Sequence, residues 1–225
     1  MAPAPTLIFD LDGTLADTAP DLLGATNAVL AARDRPRLDL DHLRHMVGFG
    51  AVALITQAME ASGAPVTQEE IPPLIEIFLD HYRRHIADGT RLFPEVAETL
   101  AALKTAGARL GVLTNKPQEL TDLLLPRLSL GDVFTAVYGA GRKPYTKPDP
   151  RIFHDVAADV SEGSGGPAVM IGDSITDLNT ARAAGVPCIL MSYGFTPVPA
   201  AELGADRVLD EFSELPEALR QLGML

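Results

Sequence analysis

Six short apolar runs lack strict alternation and are each bounded by turn or helix-start residues, the pattern of strands buried on both faces of a parallel sheet. They are Leu7 to Asp10, Arg109 to Thr114, Val133 to Tyr138, Ala168 to Gly172, Cys188 to Met191 and Arg207 to Leu209. Helical patterns with recognisable ends separate them: Pro94 to Ala106 before Gly107, Pro117 to Leu128, Asp149 to Val160, and Ile175 to Ala184 before Gly185. Strand and helix alternate, so the expected fold is α/β, a doubly wound, Rossmann-like parallel sheet.

The stretch from Ala16 to Arg91 breaks the alternation. It reads as consecutive helices, Ala19 to Ala32, Leu40 to Met46, Ala51 to Ala61 and Glu69 to Ala87, with no convincing strand. An all-helical insertion after the first strand accounts for it, which divides the chain into a core of residues 1–15 and 92–225 and a cap of residues 16–91. Such a segment, joined at two nearby points, can act as a lid.

Charge narrows the function. The chain carries a formal charge of -12, a field that repels nucleic acid and anionic membranes, so an anionic substrate needs a local site built from a metal ion, placed cations and backbone N–H groups. The aromatic residues show no interleaving with a basic stripe, which leaves nucleic-acid binding unsupported. Cys188 is the single cysteine, so no internal disulfide forms and a reducing compartment, by default the cytoplasm, is expected. No basic leader and no membrane-length apolar run is evident.

The chemistry gathers where strands end. Asp10 and Asp12 close the first run within Phe9-Asp10-Leu11-Asp12-Gly13-Thr14-Leu15, where open α/β sheets place their sites. The two carboxylates start on one face and need a cation or a shared proton between them. Alone, the pair reads rather as a turn at Asp12-Gly13 with Asp10 as a helix cap. A second acidic cluster, Gly172-Asp173-Ser-Ile-Thr-Asp177, also follows an apolar strand and opens a helix. Two acidic strand ends in one sheet point to a shared metal, with magnesium the natural choice for an oxygen donor set. Thr114 and Asn115, placed at a helix start, suit phosphate oxygens, though such a pair is commonly an ordinary cap. Lys147 stands between Thr146 and Pro148-Asp149-Pro150; the chain has only four lysines, and Lys116 and Lys147 both lie at or beside these strand ends.

In order and spacing, Phe9-Asp-Leu-Asp-Gly-Thr-Leu-Ala-Asp17, Thr114-Asn115, Lys147-Pro-Asp-Pro150 and Gly172-Asp-Ser-x-x-Asp177 resemble the haloacid dehalogenase superfamily. The helical insertion resembles the cap of its phosphoglycolate phosphatase-like group. The resemblance implies a magnesium-dependent phosphatase acting on a small phosphorylated metabolite, with Asp10 as nucleophile and an aspartyl-phosphate intermediate. It makes Asp12 the acid and base, and places magnesium on an Asp10 oxygen, the Asp12 backbone carbonyl and Asp173. Asp177 orients the site, and Thr114, Asn115 and Lys147 neutralise the transferring phosphoryl group.

The cap should set specificity. Asp17 and Thr18 lie at its entrance, and Val47-Gly48-Phe49-Gly50 reads either as a loop whose N–H groups face the site or as a plain interhelical turn. Its resemblance to the glycine-containing cap loop of phosphoglycolate phosphatases favours 2-phosphoglycolate. Arg44 is a candidate partner for a substrate carboxylate and equally a solvated helix residue. The cap holds no lysine, which disfavours a Schiff-base mechanism, and Asp12 argues against a dehalogenase. A β-phosphoglucomutase-like phosphotransferase, a phosphatase for sugar phosphates, nucleotides or pyrophosphate, and a receiver-like phosphoacceptor are the alternatives. His81 and His85, one helical turn apart, lack a third zinc ligand and read as a polar cap face, as do His42 and His45.

Overall fold

The computed structural model describes residues 4–225; the first three residues, on which part of the expectation of no leader falls, lie outside the described residues. The chain runs β1 (Thr6–Phe9), β2 (Ala16–Asp17), α1 (Ala19–Ala31), α2 (Leu40–Arg44), α3 (Ala51–Ala61), α4 (Ile71–Arg84), β3 (Arg91–Leu92), α5 (Val96–Thr105), β4 (Arg109–Pro117) and α6 (Gln118–Arg127). It continues through β5 (Ala136–Ala140), α7 (Pro150–Ser161), β6 (Ala168–Gly172), α8 (Ile175–Ala184), β7 (Cys188–Met191), α9 (Ala200–Leu203), β8 (Arg207–Leu209) and α10 (Leu215–Gln221).

Six strands form one sheet in the order β5-β4-β1-β6-β7-β8, parallel throughout. The period of two in an extended chain splits each strand between two cores. Leu7 and Phe9 join Val112, Val169 and Ile171 in one cluster with α5, α6 and α10. Ile8 joins Leu113, Met170 and Leu190 in the other, under α7 and α8. Both faces are thus covered, as the unbroken apolar runs demand. Filling a site such as the fully buried Phe9 is worth roughly 1.5–3 kcal/mol.

Connection order fixes the position of the site. After β1 the chain adds β4 and β5 on one side, then crosses to add β6, β7 and β8 on the other. The reversal leaves β1 between β4 and β6, and a doubly wound sheet binds ligands beyond the carboxyl ends of strands at such a point. In register, Phe9 pairs with Val112 and Ile171, which brings Asp10, Thr114 and Asp173 to the same edge.

The helices between β2 and β3 form the insertion, α1 packing against α2, α3 and α4. Its two ends correct the expectation of no strand there. Ala16 pairs with Leu92 and Asp17 with Arg91 in an antiparallel ribbon, two residues a side and too short to print an alternating pattern. Asp21, buried in α1, secures the same crossing by accepting from the Gly89 and Thr90 N–H groups at 2.8 Å each and from the Thr90 hydroxyl at 2.7 Å.

Other boundaries shift for local reasons. The helix expected over Glu69 to Ala87 begins at Ile71, where Pro72 and Pro73 occupy the first turn, and ends before His85 leaves helical geometry. The strand expected from Val133 begins at Ala136, because Val133 closes a turn onto the Leu130 carbonyl. The strand expected to stop at Thr114 runs on to Pro117, so the helix begins at Gln118, three residues past Asn115. Short α9 and α10 were not foreseen.

Candidate active site

Asp10 leaves the end of β1 with its side chain buried, and Lys147 faces it, Nζ 2.9 Å from Oδ1. The same ammonium donates to Oδ1 of Asp177 at 2.6 Å. Burial alone would lower the Lys147 pKa, yet the carboxylates of Asp10 and Asp177 hold it above the ordinary lysine value. Asn115 pins the lysine's backbone, accepting from the Lys147 N–H at 3.1 Å and donating to its carbonyl at 3.2 Å. A second Asn115 amide bond, to the Gly48 carbonyl at 3.2 Å, ties the insertion's glycine loop to the core.

On the other flank Asp173 accepts from the Thr14 hydroxyl at 2.9 Å and from the Phe195 N–H at 2.7 Å. Glycines make room for it. A Cβ on Gly13 would lie 2.5 Å from Oδ2 of Asp173, and one on Gly194 would lie 2.2 Å from its Cβ. Gly13 also has φ +86°, so the turn after the first motif needs glycine on both counts. Asp177, in the first turn of α8, reaches back to accept from the N–H groups of Asp173 and Ser174 and from the Ser174 hydroxyl.

Asp10, Asp173 and Asp177 each offer an oxygen within 4.8 Å of the others, all three buried. Lys147 supplies one positive charge to three carboxylates. Burial, only partly offset by Lys147, pushes the Asp10 carboxyl up to about 7, with Asp177 and Asp12 adding repulsion. Burial and the charges of Asp177 and Asp10 also hold Asp173 well above the usual carboxylate range, against the two hydrogen bonds it accepts. Oδ1 of Asp10 has no aligned hydrogen-bond donor despite the nearby ammonium. An oxygen-rich pocket in which three buried carboxylates share one ammonium fits a divalent cation.

Asp12 turns the other way. Its Oδ1 is 2.8 Å from Lys116 Nζ, and that ammonium also donates to the Tyr82 hydroxyl of α4 at 2.6 Å. Burial pulls the Lys116 pKa down, but the Asp12 carboxylate and Tyr82 together raise it above the ordinary value. A register shift in β4 places Thr114, Asn115 and Lys116 here: from the Leu113–Tyr138 pair to the Pro117–Ala140 pair, β4 spends four residues where β5 spends two. Such bulges re-aim side chains at sites. Thr114 is buried, its hydroxyl accepting from the Lys116 N–H at 3.1 Å.

A cleft opens above, between sheet and insertion. Asp10, Asp12, Thr114, Asn115 and Lys116 form its polar side, Gly48 and Gly50 meet it from the insertion, and Leu22, Val47, Leu54, Phe78 and Leu120 give it an apolar wall. Arg44 and Asp17 do not line it. They pair with each other at 2.6 Å, and Asp17 also accepts from the Ala19 N–H at the start of α1. Thr18 is fully buried, its hydroxyl without a partner.

Sequence reasoning assigned no role to Lys116 or Tyr82. The scarcity of lysine pointed toward Lys116, but its contact with Tyr82 spans 34 positions and leaves no local signature.

Residues 7–191 match the sequence profile described as Haloacid dehalogenase-like hydrolase. The chain is 49% identical over 214 residues to a phosphoglycolate phosphatase of Caulobacter vibrioides, covering 95% of this chain and 90% of that one. It is 39% identical over 220 residues to one of Agrobacterium fabrum, covering 96% and 92%. The crystal structure of a predicted phosphoglycolate phosphatase from Haemophilus somnus superposes with a TM-score of 0.88 at 27% identity, covering 97% and 99%. Motif order, sheet topology and these likenesses agree: the chain belongs to the haloacid dehalogenase-like hydrolases, as a phosphatase of the phosphoglycolate phosphatase-like group.

Proposed function

We propose that the chain hydrolyses 2-phosphoglycolate through a phosphorylated Asp10, with residues 16–91 acting as a cap over a core of residues 1–15 and 92–225. The observation that carries the mechanism is the buried group of Asp10, Asp173 and Asp177 around Lys147, a receptacle that is short of positive charge. The names of the relatives in Caulobacter and Agrobacterium support the substrate.

In this reading an Asp10 oxygen bonds to phosphorus as the ester bond breaks, and Asp12 gives its proton to the leaving alkoxide. Asp12 then takes a proton from water, whose oxygen attacks phosphorus, freeing inorganic phosphate and restoring Asp10. Lys147 and Thr114 offset charge on the phosphoryl oxygens, and Asn115 holds Lys147 in place. Asp10, the Asp12 backbone carbonyl and Asp173 would hold magnesium, which supplies further neutralisation of phosphoryl charge when bound. Asp177 keeps Lys147 and the Asp173-Ser174 turn oriented. The single cysteine is consistent with a cytoplasmic setting, and no helix among the described residues is long and apolar enough to cross a membrane.

The test is phosphate release with magnesium over 2-phosphoglycolate, sugar phosphates, nucleotides and pyrophosphate, with acid-quench trapping of the phosphoenzyme. 2-Phosphoglycolate should lead, Asp10→Asn should trap no phosphoenzyme, and Asp12→Ala should slow turnover by about 10²–10⁴-fold. Wild-type turnover by Asp10→Asn would remove the nucleophile, and a flat substrate profile would remove the substrate.

A further inference from the structure

The leaving group of 2-phosphoglycolate carries a carboxylate two bonds from the ester oxygen. Whatever cation meets that carboxylate must stand next to the group that protonates the oxygen. In this chain that group is Asp12, and the ammonium beside it is Lys116, 2.8 Å away.

Lys116 is the only cationic side chain among the residues lining the cleft. Arg44 is engaged with Asp17 outside it. An ammonium has three N–H donors; Asp12 and Tyr82 take two, and no third acceptor exists among the described residues. The ammonium lies 2.6 Å from the Tyr82 hydroxyl and 4.5 Å from its ring centroid, so its position is fixed by sheet and insertion together. Leu22, Val47, Leu54, Phe78 and Leu120 form the apolar part of the wall, which strengthens a charge pair formed inside the cleft.

Resting on the proposed substrate, we propose that Lys116 binds the substrate's carboxylate through its third N–H and selects short phosphoester acids over neutral esters, with Tyr82 as its positioning residue. A cationic residue of the core, not of the cap, then reads the leaving group.

The experiment compares kcat/KM for 2-phosphoglycolate and for 2-hydroxyethyl phosphate, which replaces the carboxylate with a neutral CH₂OH, in wild type, Lys116→Met and Tyr82→Phe. Wild type should prefer the acid. Lys116→Met should shrink that preference about 10- to 100-fold, the range of a charge-assisted hydrogen bond, and chiefly through KM. Tyr82→Phe, which keeps the ring and loses the hydroxyl, should shrink it by a smaller factor and provides the reading if Lys116→Met does not fold. A wild type without preference overturns the substrate assignment. A wild type that prefers the acid, with both variants losing equally on the two esters, overturns the role of Lys116 alone and leaves it acting through Asp12.

Discussion

Lys147 Nζ lies 2.6 Å from Oδ1 of Asp177, with both side chains buried. Because the same ammonium faces Asp10, the aim of the proposed phosphate-facing cation depends on the Asp177 carboxylate as well. Asp177→Ala removes one of the two carboxylates that Lys147 faces and leaves the buried Asp173 and Ser174 N–H groups without an acceptor, and should destabilise the fold by about 1–3 kcal/mol. Asp177→Asn keeps the shape and should cost less, while lowering kcat about 10- to 100-fold. Urea unfolding and steady-state kinetics check both; an Asp177→Asn enzyme with full kcat would dissociate the ion pair from turnover.

The turn at Gly13 has φ +86° and no space for a Cβ. Gly13→Ala should therefore cost roughly 1–3 kcal/mol of backbone strain. It should also push Asp173 from its place and weaken magnesium binding about tenfold. Calorimetric titration with magnesium reads the second effect separately from the first.

The acidic pocket makes metal-free stability sensitive to pH. Asp10 is raised from 3.8 to about 7 by burial above all, so the folded protein retains a proton that the unfolded chain releases in that interval. Its contribution is then most favourable below about pH 4 and is lost as pH rises toward about 7. In EDTA the wild-type Tm should fall more between pH 5 and pH 8 than that of Asp173→Asn, which removes one of the repelling charges. Added magnesium should raise the wild-type Tm more at pH 8 than at pH 5. A wild-type slope no steeper than the variant's would contradict the picture.

Asp21 accepts three hydrogen bonds from Gly89 and Thr90. Asp21→Ala leaves two buried or half-buried N–H groups without partners and should destabilise the protein by roughly 3 kcal/mol. Limited proteolysis should then cut near residues 89–91 in the variant before it does in wild type.

What could be read from the residues follows what is local. The sheet's strands declared themselves because burial on both faces needs unbroken apolar runs, and Ala51–Ala61, Ala168–Gly172, Ile175–Ala184 and Cys188–Met191 fall where the pattern placed them. Asp10, Lys147, Asp173 and Asp177 come together because each follows or faces a strand end. The Thr114-Asn115 geometry was hidden, since the strand continues through a bulge that depends on β5. The Arg44–Asp17 pair and the Lys116–Tyr82 contact were hidden for a similar reason: each joins residues distant in sequence, 27 and 34 positions apart.

The paired residues at the two chain crossings, Ala16 with Leu92 and Asp17 with Arg91, give the insertion a footprint about 5 Å wide. A module entering and leaving through so narrow a doorway can differ in size without altering the spacing of the strands beneath it. A different module on the same doorway would present another wall to the cleft and another partner to Lys116, while the strand ends beneath stay in register.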